Sequence, residues 1–284
     1  MSEILLGAPV AQAIRESLAE RIEDLRAAGH PPCLAMIRCG EDPGAIFYER
    51  SATKACERVG IGLQSVRLPW TTGTTELLRA LDRLNRDAAV HGILVLRPLP
   101  RQIDTERVFR ELRPEKDVDG ITVPSLARTF VGRGTGFAPC TAEACLAMLD
   151  HYGVKLAGAN VAIIGRSLIV GRPLAMLLSA RDATVTLCHS KTRGLPALCR
   201  GADILVSTAG RAALVDERFV HPGQIILDVG VNESFDGKIC GDVAFDTVSP
   251  LVRGISPVPG GVGTVTTMIL ARHVVEAAEA QAGL

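Results

Sequence analysis

The residues best placed for chemistry in this 284-residue chain sit in the run Val161-Ala-Ile-Ile-Gly-Arg-Ser-Leu-Ile-Val-Gly-Arg-Pro173. The apolar stretch Val161–Ile164 reads as a strand buried on both faces, and Gly165 follows it at once. Ser167 and Gly171 come next, and Pro173 is placed to open a helix over Leu174–Ser179, where a missing N–H costs little. Strand, tight turn and helix start together leave unpaired N–H groups pointing outward, which is the chemistry of a phosphate site. The spacing Gly165-x-Ser167-x-x-x-Gly171 is looser than Gly-x-Gly-x-x-Gly, and an ordinary strand-to-helix turn has a similar composition.

The next segment sharpens this reading. Ala183–Cys188 is a strand by composition and ends in His189-Ser-Lys-Thr-Arg193. In a dinucleotide fold the residue closing this second strand meets the adenosine ribose: an acid takes the 2′-hydroxyl of NAD, whereas basic and hydroxyl groups suit the 2′-phosphate of NADP. No Asp or Glu stands here, and Arg166, Ser190, Lys191 and Arg193 are the available partners, so NADP is favoured. The candidate cofactor-binding residues are Gly165, Arg166, Ser167, Gly171, His189, Ser190 and, at the end of a fourth strand, Val231. Ile204–Thr208 and Gln224–Val231 continue the buried strands of a Rossmann-like layer.

The segment before this layer has an alternation of its own. Val10, Ile14, Leu18, Ile22 and Leu25 recur at helical spacing within Ala8–Ala28, and Gly29 stops the helix. Strands are predicted over Cys33–Arg38, Gln64–Leu68 and Gly92–Leu96, with helices over Ala45–Val59 and Thr75–Arg86. Lys116-Asp-Val-Asp-Gly120 reads as a turn, and Thr141–Tyr152 as a helix linking the two segments. The amphipathic tail Met268–Ala280 is expected to pack back on the first segment. The fold class is therefore α/β with two α/β domains, 1–140 plus 268–284 for the substrate and 141–267 for the nucleotide.

Composition narrows the partners. Thirty-one basic and 31 acidic residues cancel, which gives no general electrostatic support for a nucleic-acid or anionic-membrane partner. The eight cysteines are scattered without a Cys-x-x-Cys pair, as suits buried free thiols in a reducing cytoplasm. The start Met1-Ser-Glu lacks the basic and apolar regions of a signal peptide, and no apolar run is long enough to span a membrane. The six histidines have no Cys or carboxylate partners at ligand spacing, so no metal is expected.

Phrases along nearly the whole chain resemble the methylenetetrahydrofolate dehydrogenase/cyclohydrolase family. They are Gly92-Ile-Leu-Val95, Lys116-Asp-Val-Asp-Gly120, Pro139-Cys-Thr141, Ile164-Gly-Arg-Ser167, Val170-Gly-Arg-Pro173, Cys188-His-Ser190, Asp228-Val-Gly230, Gly241-Asp-Val243 and Pro257-Val-Pro-Gly-Gly-Val-Gly263, in the family's order. The resemblance implies a homodimer of two-domain chains, with NADP on the C-terminal domain and a tetrahydrofolate derivative in a cleft between domains. It also implies hydride transfer from the methylene carbon to nicotinamide, often followed by opening of the methenyl cation by water. Tyr48 and Asp119 match family positions at the substrate, and Asp119 would pair with the donor edge of the pterin. Pro257, Gly260 and Gly261 are further substrate-binding candidates, and Gly260, Gly261 and Gly263 would let the backbone approach the ligands or adopt positive φ.

The chain departs from the family where protons would be handled. The pattern Ser-x-x-Tyr-x-x-x-Lys becomes Ala45-x-x-Tyr48-x-x-x-Ala52, and the glutamine after Ile-Leu-Val becomes Leu96, followed by Arg97. Thr264 replaces a usual proline. Lys54, six residues after Tyr48, is rotated from it by roughly 240° on a helix and cannot simply substitute. Ser51 faces the right way to hold a water but carries no charge. Arg97 is expected by strand alternation to point away from the site, unless the strand end bends. Tyr48, Ser51 and Asp119 are thus the catalytic candidates, and Leu96 and Arg97 join Tyr48 and Asp119 at the substrate. Hydride transfer needs mainly positioning, so dehydrogenase activity is expected with cyclohydrolase absent or weak. The alternatives are a paralogue acting on a non-folate cyclic imine or iminium, and a non-catalytic binding protein.

Overall fold

The computed structural model describes residues 2–234 and 237–284. The chain sorts into two compact units. One comprises Ala13–Cys140 with Thr267–Leu284; the other comprises the segment ending at Gln12 with Thr141–Thr266.

In chain order the first half carries β1 (Glu3–Ile4), α1 (Gly7–Ala27), β2 (Cys33–Cys39), α2 (Pro43–Val59), β3 (Gly62–Leu68), α3 (Thr74–Arg86), β4 (Gly92–Val95), α4 (Thr105–Glu111) and α5 (Val123–Val131). Among the described residues, β3-β2-β4 form a parallel sheet with β2 at its centre. The apolar faces of β2, β4 and α3 meet there, burying Ala35, Ile37, Leu77, Leu81, Ile93 and Val95. Central placement explains why β2 is almost continuously apolar. Helix α2 starts where Asp42 accepts the Ala45 N–H at 2.9 Å, with Pro43 in its first turn, and it stops at Gly60, whose φ is 81°.

The one charged residue within β2 that turns inward is Arg38. Its Nε donates to Glu49 Oε2 at 2.6 Å, and a second guanidinium N–H donates to the Gly40 carbonyl. Glu49 Oε1 accepts from the Ser65 hydroxyl at 3.0 Å and from Arg67 at 3.2 Å. Both Arg38 and Glu49 are 5% exposed, so this network ties β2, α2 and β3 together and fixes the rotation of the helix that carries Tyr48.

The second half carries α6 (Cys140–His151), β5 (Asn160–Ile164), α7 (Gly171–Ser179), β6 (Thr184–Cys188), α8 (Leu195–Arg200), β7 (Ile204–Ser207), β8 (Ile225–Asp228), β9 (Asn232–Glu233), β10 (Ile239–Cys240), α9 (Phe245–Val248), β11 (Gly254–Ile255) and α10 (Val262–Ala282). Six described strands form a parallel sheet in the order β1-β11-β8-β7-β5-β6. Its core includes Ala162, Ile164, Leu205, Ile226 and Ile255.

Several boundaries differ from the sequence-based expectations. The residues up to Gln12 belong with the large sheet because β1 pairs with β11, Glu3 opposite Gly254 and Ile4 opposite Ile255. Helix α7 opens at Gly171, before Pro173. The strand predicted over Gln224–Val231 stops at Asp228. The tail helix begins at Val262, so Gly263 is helical, with open space where a Cβ would go, and needs no glycine freedom. The end of that helix docks on the small-sheet unit through Gln281 Nε2, which donates to the His91 carbonyl at 3.0 Å, and through a bidentate Arg21–Glu279 pair.

The Arg38–Glu49 pair yields a stability test. Burial pushes the Glu49 carboxyl up, yet its bonds from Arg38, Ser65 and Arg67 outweigh this and hold it below the ordinary 4.5. Its stabilisation is therefore present above that value and lost as pH falls through the lowered one. Glu49→Gln removes the buried partner of the Arg38 guanidinium, leaving only the exposed Glu41 carboxylate at 3.1 Å, and is expected to cost roughly 3 kcal/mol in urea unfolding at pH 7.

Candidate active site

The large sheet places the nucleotide candidates at the carboxyl ends of its strands. After β5 the chain crosses to β6 on one side and then to β7 on the other, so a crevice opens between β5 and β7, where doubly wound sheets bind ligands. Gly165 leaves β5 with φ 124°, and a side chain there would run into Thr208. Gly171 opens α7 against the Gly165 carbonyl, so a side chain would separate turn and helix. Ser167 Oγ accepts the Val170 N–H at 3.1 Å, and its carbonyl accepts the Arg172 N–H at 3.1 Å. Its hydroxyl therefore shapes the loop as well as facing solvent. Arg166 and Ser190 are exposed beside it on neighbouring strand ends. His189 Nδ1 accepts the Lys191 N–H at 3.1 Å, which leaves Nε2 to carry the proton in the neutral ring. Val231 lies beyond the end of β8 and is 68% exposed.

Sequence reasoning missed the acids that hold this face. Asp242 is fully buried and accepts from Ser207 Oγ at 2.8 Å, the Ala209 N–H at 2.6 Å, the Arg211 N–H at 2.7 Å and Asn232 Nδ2 at 3.0 Å. Asp228 in turn accepts the N–H groups of Asp242 and Val243, each at 2.9 Å. A Cβ on Gly230 would strike the Asp242 carboxylate, and one on Gly241 would strike that of Asp228. The phrases Asp228-Val-Gly230 and Gly241-Asp-Val243 are thus two halves of one interlock that fixes the loop after β7. Burial pushes the Asp228 carboxyl up to about 7; bonds from backbone N–H groups oppose this, and the Asp242 charge adds to it. The signal available in the sequence was Asp at a strand end two residues before glycine.

The loop into α10 explains the other glycines. Gly260 has φ 102°, and its carbonyl accepts the Gly7 N–H at 2.8 Å. A Cβ on Gly261 would approach the Pro257 carbonyl oxygen to 2.5 Å. Backbone packing alone accounts for both residues, and Pro257 belongs to the same turn.

On the small-sheet unit, Tyr48, Arg97 and Asp119 come together. Arg97 Nη2 lies 3.7 Å from Asp119 Oδ2, with the two side chains 38% and 14% exposed. Strand β4 ends at Val95, so pleat alternation no longer governs Arg97, and the expectation that it points away is corrected. Leu96, expected at the substrate, is only 2% exposed, its N–H donating to the Ile37 carbonyl at 2.9 Å. Burial pushes the Asp119 carboxyl up to about 6, with Arg97 pulling the other way and Asp117 reinforcing the rise. The Tyr48 phenol is held well above its ordinary value, by burial first and then by the Asp119 charge, so it is a hydrogen-bond donor at neutral pH.

The remaining candidates on α2 are less available. The Ser51 hydroxyl donates to the Phe47 carbonyl at 2.9 Å, so its proton is committed within the helix. Ala52, one turn beyond Tyr48, is fully buried. Lys54 is exposed on another face, lining a shallow depression of about 420 Å³ with Arg50, Glu57 and Arg67. Among the described residues no group of three or more His, Cys, Asp or Glu side chains could hold a metal ion, and no helix is long and apolar enough to cross a membrane.

A doubly wound sheet with a glycine turn at its switch point, joined in one chain to a parallel unit bearing a partly exposed Tyr–Arg–Asp cluster, defines a two-unit α/β protein with a dinucleotide-type domain. Comparison with known proteins resolves the class further. Residues 5–119 match the catalytic domain of tetrahydrofolate dehydrogenase/cyclohydrolase, and residues 139–282 match its NAD(P)-binding domain. The chain belongs to this family. It is 46% identical over 287 residues to the bifunctional protein FolD of Carboxydothermus hydrogenoformans, covering 100% of both chains. Among solved structures, the bifunctional FolD of Campylobacter jejuni aligns at TM-score 0.95 and 38% identity, covering 99% of each chain. The FolD of Trypanosoma brucei, solved with NADP cofactor and inhibitor, aligns at TM-score 0.92 and 34% identity, covering 98% of each.

The site gives a test in each unit. An acid with a raised pKa costs stability when ionised: for Asp119 the cost is nil below its ordinary 3.8, grows through the interval to about 6, and is full above it. Asp119→Asn is therefore expected to be the more stable protein at pH 8, on the order of 2 kcal/mol, with the gap closing as pH falls towards 4. In the large-sheet unit, Gly241→Ala is expected to cost at least ~3 kcal/mol, because the methyl and the Asp228 carboxylate cannot share one space. Hydrogen exchange should localise that loss to the strands around Asp228.

Proposed function

We propose that this protein is an NADP-dependent 5,10-methylenetetrahydrofolate dehydrogenase whose cyclohydrolase step is weak. The cofactor is NADP. Family membership, the NAD(P)-binding domain and the T. brucei relative solved with NADP support this, as does the absence of an acid after β6. Arg166, Ser167, His189 and Ser190 would hold the phosphates and ribose, with Gly165 and Gly171 admitting them. NADP supplies the hydride acceptor, and the methylene carbon gives up a hydride to leave the methenyl cation. Tyr48 would donate a hydrogen bond at the reacting end of the folate, and Asp119 would orient the pterin.

The observation that carries the second half of the proposal is the pairing of Arg97 with Asp119, together with the burial of Ala52. The curated relatives are named bifunctional, so ring opening by water is the family's expectation. In this chain the cation near the substrate is a guanidinium. It supplies positive charge, but it cannot take up and return a proton near neutral pH as a depressed lysine can. Leu96 likewise offers no amide to a water. Hydride transfer needs orientation and a dry pocket, whereas hydrolysis needs a proton removed from the attacking water.

The same pair supports a second reading. Arg97 occupies the carboxylate that would hold the pterin, and its partly exposed guanidinium would suit an anionic cyclic imine or iminium, whose carbon exchanges a hydride in the same way. Separate titrations of NADP and tetrahydrofolate distinguish the two readings, since the alternative requires NADP binding without folate binding. Assembly as a homodimer forms part of the main reading, and light scattering tests it.

The direct experiment follows NADP-dependent oxidation of methylenetetrahydrofolate and hydrolysis of methenyltetrahydrofolate in one preparation. Oxidation is expected at an ordinary enzymatic rate, with hydrolysis lower by roughly 100-fold or more, the usual contribution of one positioned acid–base group. Ala52→Lys combined with Leu96→Gln is expected to raise hydrolysis. Rapid hydrolysis by the unmodified protein would falsify the proposal.

A further inference from the structure

The turn that presents Asp119 is gripped from behind by residues outside the catalytic set. His273 on α10 is 1% exposed, and its Nδ1 lies 2.8 Å from the Val118 carbonyl oxygen. Cys140, at the start of α6, directs its thiol to the same oxygen at 3.1 Å, and its sulfur lies 3.6 Å from His273 Nδ1. A carbonyl has two lone pairs and can accept both, which requires the proton of the neutral imidazole to sit on Nδ1. Phe137 stacks on the imidazole with ring centroids 4.7 Å apart and fixes its plane. The other side of the turn is held by Asp117, which accepts the Thr122 N–H at 2.8 Å and the Ser125 hydroxyl at 2.6 Å.

Val118 C=O belongs to the peptide unit whose nitrogen is that of Asp119. Fixing this oxygen fixes the plane from which the Asp119 side chain leaves. We infer that His273 and Cys140 are positioning residues for Asp119, clamping the Val118 carbonyl so that the carboxyl stays turned towards Tyr48 and Arg97. Structural filling alone would not require a buried imidazole and a thiol to converge on one carbonyl. The groups that bear on the Asp119 carboxyl are Arg97 after β4, Asp117 in its own turn, His273 on α10, Cys140 on α6 and Tyr48 on α2. Of these, Arg97, His273 and Cys140 favour the ionised carboxyl and Asp117 opposes it. Loosening the clamp is therefore expected to raise the Asp119 midpoint above its present value of about 6.

The kinetic consequence rests on the proposed role of Asp119 at the pterin, but the positioning itself can be read without substrate. Asp119 is titrated by carboxyl carbon-13 NMR, with Asp119→Asn to assign the signal, in the unmodified protein and in His273→Ala, His273→Asn, His273→Gln and Cys140→Ala. Asparagine places an amide N–H near the position of Nδ1, whereas glutamine does not. The inference expects an upward shift of the midpoint in His273→Ala, His273→Gln and Cys140→Ala, with His273→Asn close to the unmodified protein. With methylenetetrahydrofolate, the same three variants should raise KM roughly tenfold, the scale of one lost hydrogen bond, with a smaller change in kcat. Their acid limb in kcat/KM should move to higher pH by the same amount as the midpoint.

An unmoved midpoint in all four variants overturns the inference, as does an equal shift in the asparagine and glutamine variants. If His273→Ala fails to fold, the asparagine–glutamine pair and Cys140→Ala decide the question. A midpoint that shifts as expected in a protein that never oxidises methylenetetrahydrofolate overturns the proposed function and leaves the clamp standing.

Discussion

The site depends on what burial does to one carboxyl group. Asp119 is 14% exposed and surrounded by Tyr48, Cys140 and the Arg97 guanidinium. Desolvation outweighs the attraction of Arg97, because the charged atoms are 3.7 Å apart and the guanidinium is partly in water. The result is an acid that titrates near neutrality in a pocket whose phenol stays protonated. A tighter ion pair would have pulled the carboxyl back towards the ordinary range. A looser one would have left it neutral at physiological pH.

Holding a partly ionised group in that state requires a rigid surround, and the fold supplies it from several directions. Asp117 ties the far side of the turn, while Gly120, with φ 69°, lets the backbone lie directly on Ala138 and Pro139. Helix α2 is kept from rotating by the buried Arg38–Glu49 pair, so Tyr48 presents a constant face. In the other unit the same principle recurs with acids as anchors. Asp228 and Asp242 accept backbone and side-chain donors in sequence and set the loop beside the switch point. Both devices spend buried charge on geometry, which suits a reaction in which orientation is the main demand.

How much of this could be read from the sequence follows from the range of each interaction. The longer strands of both sheets were legible because parallel strands covered on both faces leave continuous apolar runs, as in Gly92–Val95 and Val161–Ile164, whereas the two-residue strands β1 and β11 were too short to register. The glycine turn was legible because Gly165 and Gly171 serve local geometry. Short helices such as α4 and α8 were not, because a turn or two of helix leaves too little periodicity to register. The partnership of Asp228 with Gly241 joins residues far apart in sequence, and that of Val118 with His273 spans 155 positions. No local pattern announces either. The direction of Arg97 could not be read from alternation for a different reason: alternation is a rule for strands, and the strand had already ended.

Arg97 also changes how the missing lysine should be understood. Ala52 removes an ammonium from the helix face below Tyr48, and its complete burial shows that the space is closed. Arg97 brings a cation back from another element, so the pocket's electrostatic character survives while the identity of the charge changes. A lysine can lose its proton when desolvated; a guanidinium stays charged and offers only donors. A fixed positive charge opposes the build-up of further positive charge as a hydride leaves, so placing it against Asp119, which offsets it, limits that penalty. On the function proposed above, the pairing that would make hydride loss tolerable places a fixed guanidinium, not a titratable amine, beside the carboxylate, and both consequences follow from one side chain reaching one carboxylate.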